Sequence, residues 1–299
     1  MKRIDLLRAR FLRWGRNVGS MRLLKKEGQG DWSRSGVSRT GLGGVSEFSR
    51  ARKPANLGLM CYRYVLHLEA LQALAEYLAI SRPVEWRSRY NLAPGQQIPA
   101  VRRQAAAEAR EIVTLRWGLV PAWARDADTA RAPANARAES LAVRPTFREA
   151  FRHRRCLIPA SGFYEWQGRG RRRQPWLFRR QDGMSFCFAG LWEAWRDPVA
   201  GRVIETCAII TTAPNELVRP IHDRMPAILA PEDSLRWLDP GLTQPGDLVP
   251  LLRPFPAGTM MVTPVTSRVN NIRHDDAACL EPAHTLATGD DQAQFPLGL

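Results

Sequence analysis

The spacing of apolar residues predicts two helices. In Leu66–Ile80 leucine and alanine side chains recur at helical spacing, which is typical of an amphipathic helix with one buried face. Ser81-Arg82-Pro83 comes next and predicts the helix end, because proline does not continue a helix. A shorter helix is predicted over Pro231–Leu238, with Pro231 or Asp233 near its start.

The rest of the pattern favours strands joined by short turns. Asn135–Glu139 has no clear period and predicts a loop, and the arginine-rich segment QGRGRRRQ (167–174) predicts a hairpin tip. Strands outnumber helices, so we expect a single α+β domain around a large, curved, mostly antiparallel sheet. The predicted strands are Ile98–Arg102, Ile112–Val120, Cys156–Trp166, Pro175–Arg180, Ser185–Leu191, Thr206–Thr211 and Met260–Val269.

Charge separates the first fifth of the chain from the remainder. The 299 residues include 44 Lys+Arg and 29 Asp+Glu, a net charge of +15, which suggests a polyanionic partner. Residues 1–59 hold 14 basic and 4 acidic residues, so they carry +10 and the other residues only +5. We expect 1–59 to be a basic, disordered leader. A flexible tail, an organelle transit peptide and a start codon placed too far upstream are its alternative interpretations. We expect one domain over 60–285 and a flexible tail over 286–299.

Cysteine and histidine usage narrows the chemistry. The five cysteines form no C-x-x-C pair and leave an odd one over, which argues for a reducing compartment and against a disulfide scaffold. Neither they nor the five histidines have metal-ligand spacing, and no nucleotide-binding glycine motif is present, so we expect no metal and no cofactor. No apolar run is long enough for a membrane span. We expect a monomeric, cytoplasmic protein.

Several polar residues are candidates for chemistry, although each also has a plainer interpretation. Glu165 could be an exposed strand residue and His222 a structural histidine. Arg137 and Arg224 could form surface ion pairs, and Cys61 could be a small buried side chain. Spacing alone does not decide between these interpretations.

Six motifs taken together do favour a function. In chain order the sequence reads MC at 60–61, NLAP at 91–94, WGLVPAW at 117–123, NARAE at 135–139, PASGFYEW at 159–166 and IHDRMP at 221–226. As a set they resemble the SOS-response-associated peptidase (SRAP) family, whose members crosslink themselves to abasic sites in single-stranded DNA. The resemblance runs from Met60 to about Leu280, and it implies a sheet folded into a semi-barrel with flanking helices.

The resemblance implies a chemistry for Cys61. Once the initiator methionine is removed, a family member begins with cysteine, which carries an amine and a thiol on one skeleton. The amine forms a Schiff base with the aldehyde of the ring-opened abasic sugar, and the thiol closes on the imine carbon to give a thiazolidine. An internal cysteine cannot do this, because its nitrogen is an amide.

The resemblance also assigns roles to the other motif residues. Asn135 would hold the amine and the sugar, Glu165 would be the general acid/base, and His222 would assist proton transfer. Residues implied to contact DNA are Arg63, Pro94, Trp117, Trp123, Arg137, Thr211 and Arg224. The aromatic side chains would stack on bases, although for Trp117 core packing is an equally weighted alternative.

Two departures from the family pattern bear on activity. Cys61 is not residue 2 of this sequence, so it needs translation from Met60 or removal of the leader. Tyr62 also stands where the family usually has glycine. Two other functions therefore stay open: a cysteine peptidase that removes its own leader, and a non-catalytic single-stranded-DNA binder.

Overall fold

The computed structural model describes residues 63–80, 85–103, 109–127, 132–168 and 173–283. The helices in these ranges are α1 (Leu68–Tyr77), α2 (Arg148–His153), α3 (Pro231–Trp237) and α4 (Pro245–Leu248). The strands are β1 (Tyr64–Leu66), β2 (Arg89–Leu92), β3 (Gln97–Arg103), β4 (Arg110–Trp117), β5 (Asn135–Arg137), β6 (Arg155–Ala160), β7 (Gly162–Gln167), β8 (Gln174–Arg180), β9 (Phe186–Arg196), β10 (Val203–Thr212), β11 (Met225–Pro226), β12 (Ile228–Leu229) and β13 (Met260–Pro264).

The larger sheet closes on itself. Its described strands pair in the order β10-β4-β3-β6-β9, and β9 pairs again with β10, so the hydrogen bonds complete a barrel-like circuit. Among the described pairings, β10 with β4 and β10 with β5 are parallel and all others are antiparallel. Closure protects strand edges that would otherwise be exposed. The predicted α+β class with a curved, mostly antiparallel, semi-barrel sheet is confirmed.

The smaller sheet covers one side of the barrel. Its described strands run β13-β8-β7-β1-β2. Buried side chains from both sheets, such as Phe163 and Phe178 from the smaller and Ile98 and Phe188 from the larger, form one cluster that we call the shared core. A second cluster on the other face of the smaller sheet, the outer cluster, contains Val65, Tyr164, Leu177, Val265, Val269 and Cys279.

The chain changes sheet at Ser161. The sequence predicts one strand over Cys156–Trp166, but β6 belongs to the barrel and β7 to the smaller sheet. Both strands are almost wholly buried, so no alternation of polar and apolar residues marks the change. The Gly162 backbone also lies so close to β8 that a Cβ would meet the Phe178 carbonyl at 2.9 Å.

The other predicted elements are present with shifted ends. Helix α1 is shorter than the predicted Leu66–Ile80, and its buried residues include Leu71 and Leu74. The predicted hairpin is confirmed by the antiparallel pairing of Gln167 with Gln174, whereas residues 169–172 at its tip lie outside the described ranges. The Asn135–Glu139 loop prediction is wrong, because Asn135–Arg137 forms β5 and Ala138–Ser140 a 3₁₀ turn.

Two parts of the predicted domain plan lie outside the described residues. These are the leader over 1–59 and the tail over 286–299. None of the helices in the described part of the chain is both long and apolar enough to cross a membrane.

Candidate active site

The end of β10 brings two predicted motifs together. On one side, β5 runs parallel to β10, so that Asn135 pairs with Ile209 and Arg137 with Thr211. On the other side, β11 pairs with the same end of β10, opposing Pro226 to Thr211. Asn135 is buried whereas Arg137 is exposed. This arrangement brings the NARAE and IHDRMP motifs to one end of the barrel.

Glu165 contributes a buried carboxyl group from the smaller sheet. It lies on β7 directly opposite Trp176 of β8, and opposed residues share a face of the sheet. Phe163, two residues earlier on the same face, belongs to the shared core. The side chain of Glu165 is only 1% exposed. A strand carboxyl is usually exposed, so this burial excludes the plainer interpretation of Glu165.

His222 faces Glu165 and is held by the main chain of Arg224. Its Nδ1 is 3.9 Å from Oε1 of Glu165 and 3.3 Å from the exposed carboxylate of Asp223. The Arg224 backbone N–H donates to Nδ1 at 3.0 Å, and the Arg224 carbonyl oxygen lies 3.1 Å from the same atom. With Nδ1 unprotonated the ring accepts from the N–H, and with Nδ1 protonated it donates to the carbonyl. Nδ1 therefore has a main-chain partner whether or not it carries a proton.

The Arg224 guanidinium forms a fork-like ion pair. Nη1 and Nη2 donate to the two carboxylate oxygens of Glu139 at 2.7 and 2.9 Å, and Nη2 also donates to the Thr211 carbonyl at 2.6 Å. The Glu139 pKa is lowered, chiefly because its charged form accepts hydrogen bonds from Arg224. Arg224 thus bridges the 3₁₀ turn after β5 and the end of β10.

The Arg63 side chain is held by hydrogen bonds within the domain. Its Nη1 donates to Asn91 Oδ1 at 3.0 Å and to the Val269 carbonyl at 2.9 Å, and its guanidinium lies 5.9 Å from the Trp166 ring centre. Burial and then the positive charge of Arg173 lower the pKa of Arg63. Its carbonyl accepts a hydrogen bond from Tyr164, next to Glu165. Arg63 therefore lies beside the strand that carries the buried carboxyl.

A family model identifies the family of this chain. The model of the family described as SOS response associated peptidase (SRAP) matches residues 60–272. The chain belongs to the SRAP family.

The alignments with two curated relatives cover most of this chain and most of each relative. "Abasic site processing protein YoqW" of Bacillus subtilis (strain 168) is 38% identical over 226 residues, which is 74% of this chain and 99% of that protein. "Abasic site processing protein HMCES" of Gallus gallus is 30% identical over 230 residues, 67% of this chain and 68% of that protein. The resemblance noted from the motifs is thus confirmed by sequence comparison over most of the chain.

Solved structures agree with the SRAP fold. A crystal structure of a protein from Bacteroides thetaiotaomicron has a TM-score of 0.66 and 27% identity, and covers 75% of this chain and 100% of its own. One from Bordetella bronchiseptica has a TM-score of 0.59 and 29% identity, and covers 69% and 100%.

Two residues that the SRAP motifs imply to contact DNA are buried, and for Trp117 this favours the core-packing alternative. Trp117 is 1% exposed, donates from Nε1 to the Ala134 carbonyl at 2.8 Å, and packs edge-on against Tyr64 in the shared core. Its ring cannot stack on a base in this position. The Thr211 side chain is fully buried as well, and its carbonyl serves to hold Arg224.

Two other predicted SRAP contacts lie at the surface. Trp123 is 65% exposed, so its ring is open to stacking. Pro94 is half-buried in a turn that continues through Gly95, whose φ of +86° favours glycine. Their roles in DNA contact stay predictions.

The described cysteines of this SRAP domain are buried and unpaired with one another. They are Cys156, Cys187, Cys207 and Cys279. Burial raises their pKa values, that of Cys187 to about 12, so their thiols are not nucleophiles at neutral pH. The predicted nucleophile, Cys61, and the neighbouring Tyr62 lie outside the described residues. Within the described ranges no cluster of His, Cys, Asp and Glu suits a metal ion.

One residue of the site was missed from the sequence. Glu139 closes the NARAE motif but had no assigned role, and its partner Arg224 is 85 residues further along the chain. The signal that could have found it is an acidic residue two positions after Arg137, at the start of a turn, in a domain expected to bind phosphates.

Proposed function

We propose that this protein recognises abasic sites in single-stranded DNA and links to them covalently through Cys61. The observation that carries the proposal is the buried Glu165 carboxyl, 3.9 Å from His222 Nδ1, at the same end of the barrel as Arg137 and Arg224. Two proton-transfer groups beside two arginines suit a reaction at a sugar flanked by phosphates. The names of the curated SRAP relatives support the same substrate.

The reaction is a condensation that needs no oxidant. The neutral α-amine of Cys61 attacks C1′ of the ring-opened abasic sugar, and loss of one water gives an imine. The Cys61 thiol then adds to the imine carbon, its proton passes to the nitrogen, and a five-membered thiazolidine results. Glu165 transfers protons during ring opening and dehydration, and His222 assists it.

A free amine on Cys61 is required, so residues 1–60 must be absent from the active form. Translation from Met60 followed by loss of that methionine would achieve this, and so would removal of the leader. Two observations support Cys61 in this role: the family match over 60–272 includes it, and Arg63, two residues after Cys61, is hydrogen-bonded to β7. We infer that the domain predicted over 60–285 forms the active unit once Met60 has been lost.

The remaining polar residues would bind the DNA. Asn135 is buried next to β10, where an amide can hold both the amine and the sugar hydroxyl. The exposed Arg137 suits a phosphate contact and the exposed Trp123 a base stack. This combination favours unpaired over paired bases, because stacked bases in a duplex are not available to the ring.

The experiment compares the full chain with a form translated from Met60. Each is incubated with a single-stranded oligonucleotide whose one uracil has been excised, and the products are separated under denaturing conditions and weighed. The Met60 form should give an adduct whose mass is that of the protein plus the DNA minus one water. Cys61→Ala should abolish the adduct, and Glu165→Gln should slow its formation about 100-fold.

Cys187→Ala is the matched control, because it removes a buried thiol and should leave the adduct yield unchanged. An adduct that persists in Cys61→Ala would overturn the proposed linkage. N-terminal mass analysis of the full chain and of its Cys61→Ala variant shows whether the leader is lost and whether Cys61 removes it. Salt-sensitive binding without any adduct would identify a non-catalytic DNA binder instead.

A further inference from the structure

The Glu139 carboxylate binds the Arg224 guanidinium as a phosphate would. Both carboxylate oxygens accept from the two terminal nitrogens of one guanidinium, at 2.7 and 2.9 Å. Arginine binds carboxylate and phosphate in this same parallel geometry. The guanidinium face that a DNA phosphate would use is therefore the face that Glu139 uses.

The two partners differ in how firmly they are held. The Arg224 side chain is 12% exposed and is also bound to the Thr211 carbonyl at 2.6 Å. The Glu139 side chain is 57% exposed and projects from the 3₁₀ turn Ala138–Ser140. If the pair separates, the carboxylate can turn into water while Thr211 keeps the guanidinium in place. Glu139 is the partner that can leave.

Arg224 also links this exchange to His222. Its side chain binds Glu139, and its backbone N–H donates to Nδ1 of His222 at 3.0 Å. Because the Thr211 contact holds the side chain during an exchange, the main-chain contact to His222 is preserved. A phosphate bound at Arg224 would thus be placed beside a ring that already has its orientation.

We propose that Glu139 is a positioning residue that occupies Arg224 in the free protein and is displaced by a DNA phosphate, so that Arg224 exchanges one anion for another on binding. This rests on the proposed function. A ligand with a single phosphate must displace Glu139 without other help. A DNA strand also contacts Arg137 and Trp123, and these contacts offset the free energy needed to displace Glu139. The exchange thereby favours strands over free phosphate and mononucleotides.

The test measures equilibrium binding of an undamaged fluorescent oligothymidylate of about 15 nucleotides by anisotropy. Such a probe needs no covalent chemistry. In the full chain, Glu139→Gln keeps the shape and removes the charge, and it should tighten binding about three- to tenfold. In an Arg224→Gln background the same change should alter affinity less than about twofold, because the exchanged partner is gone. Arg224→Lys is a second background, in case the first does not fold.

Glu149→Gln is the matched control for net charge, since Glu149 is an exposed carboxylate on α2 whose pair with Arg148 is long, at 3.7 Å. It should leave affinity within about twofold. Weaker binding in Glu139→Gln would overturn the proposal, and so would a gain that persists without Arg224 or is matched by Glu149→Gln.

The same experiment separates this inference from the proposed function. Absence of binding by every folded variant would overturn both. Binding with the expected dependence on Arg224, but without any abasic-site adduct, would support the exchange and sink only the crosslinking reaction. Adduct formation without the expected dependence on Arg224 would support the crosslinking reaction and overturn the exchange.

Discussion

Two arginines at opposite ends of β10 are almost equally buried but differ in what holds them. Arg102 on β3 is 8% exposed and donates to Glu111 at 2.8 Å and to Glu205 at 2.6 Å. Its guanidinium also lies 4.2 Å from the centre of the Trp192 ring. Arg224 is 12% exposed, and the carboxylate that it binds, Glu139, stands on a turn.

The two arginines differ in how firmly their carboxylate partners are held. Glu111 and Glu205 lie on β4 and β10, two strands of the closed barrel, and each is about two-thirds buried. Burial lowers the Arg102 pKa, but the hydrogen bonds that Arg102 donates to both carboxylates outweigh this effect, and the net pKa is raised. Arg102 is thus fixed within the barrel, whereas Arg224 can change partners. Burial of an arginine alone does not show whether it stabilises the fold or binds a ligand.

The largest expected effect is on stability at Arg102. Arg102→Met should lower the free energy of unfolding by about 3 kcal/mol, because it leaves two neighbouring carboxylates without their cation. Urea unfolding followed by circular dichroism measures this. Arg224→Met should cost no more than about 1 kcal/mol, because Glu139 is free to rehydrate. Equal losses in the two variants would abolish the distinction.

The reverse ranking is expected for DNA binding. Arg224→Gln should weaken binding of single-stranded DNA about tenfold and reduce the salt dependence by roughly 0.7 in the logarithmic slope, because one phosphate contact is lost. Anisotropy titrations at several salt concentrations measure both quantities. Arg102→Met, tested at a temperature where it is folded, should bind like the parent. A tenfold loss there instead would place Arg102 at the DNA interface.

The comparison extends to the tryptophans. Trp123→Ala should weaken the same binding about fivefold, the lower end of what one stacked base contributes, without changing the melting temperature. Trp192→Ala should lower the melting temperature and leave the affinity of the folded protein unchanged, because its ring lies under Arg102. An affinity unaffected by Trp123→Ala would remove that ring from the interface.

The smallest expected effect concerns pH. The Glu139 pKa is lowered by Arg224, so the pair contributes stability above the ordinary carboxyl pKa and loses it as the pH falls through the lowered value. Glu139→Gln should therefore be slightly less stable than the parent at neutral pH, by a few tenths of a kcal/mol. The difference should vanish in acid. Unfolding curves between pH 7 and about 3 test this, and a difference that grew toward acid would contradict the ion pair.

Motif residues were easier to predict than their contacts. The sequence indicated Glu165, His222 and Arg224, and the structure brings these three together. It could not indicate that the partner of Glu139 is Arg224, because the pair depends on how β5 and β11 lie on either side of β10. Pairing across such a separation depends on tertiary structure rather than on local pattern.

The fold was predictable as a class but not as two sheets. Alternation identifies a strand only when one face is polar, and β6 is buried throughout. The sequence therefore predicted a single strand where the chain passes from the barrel to the smaller sheet. The same limitation applies to Trp117, whose motif suits a surface and a core equally well, and only its neighbours Tyr64 and Ala134 decide between them.

The change of sheet at Ser161 also determines which side chains of β7 face the shared core. Phe163 belongs to the shared core and Tyr164 to the outer cluster, so Glu165 faces the same way as Phe163. One residue gained or lost between Ala160 and Glu165 would exchange the two faces and turn the carboxyl away from His222. Such a change would leave every motif residue present in the sequence. The number of residues over this short step is thus as important to the candidate site as the residues themselves.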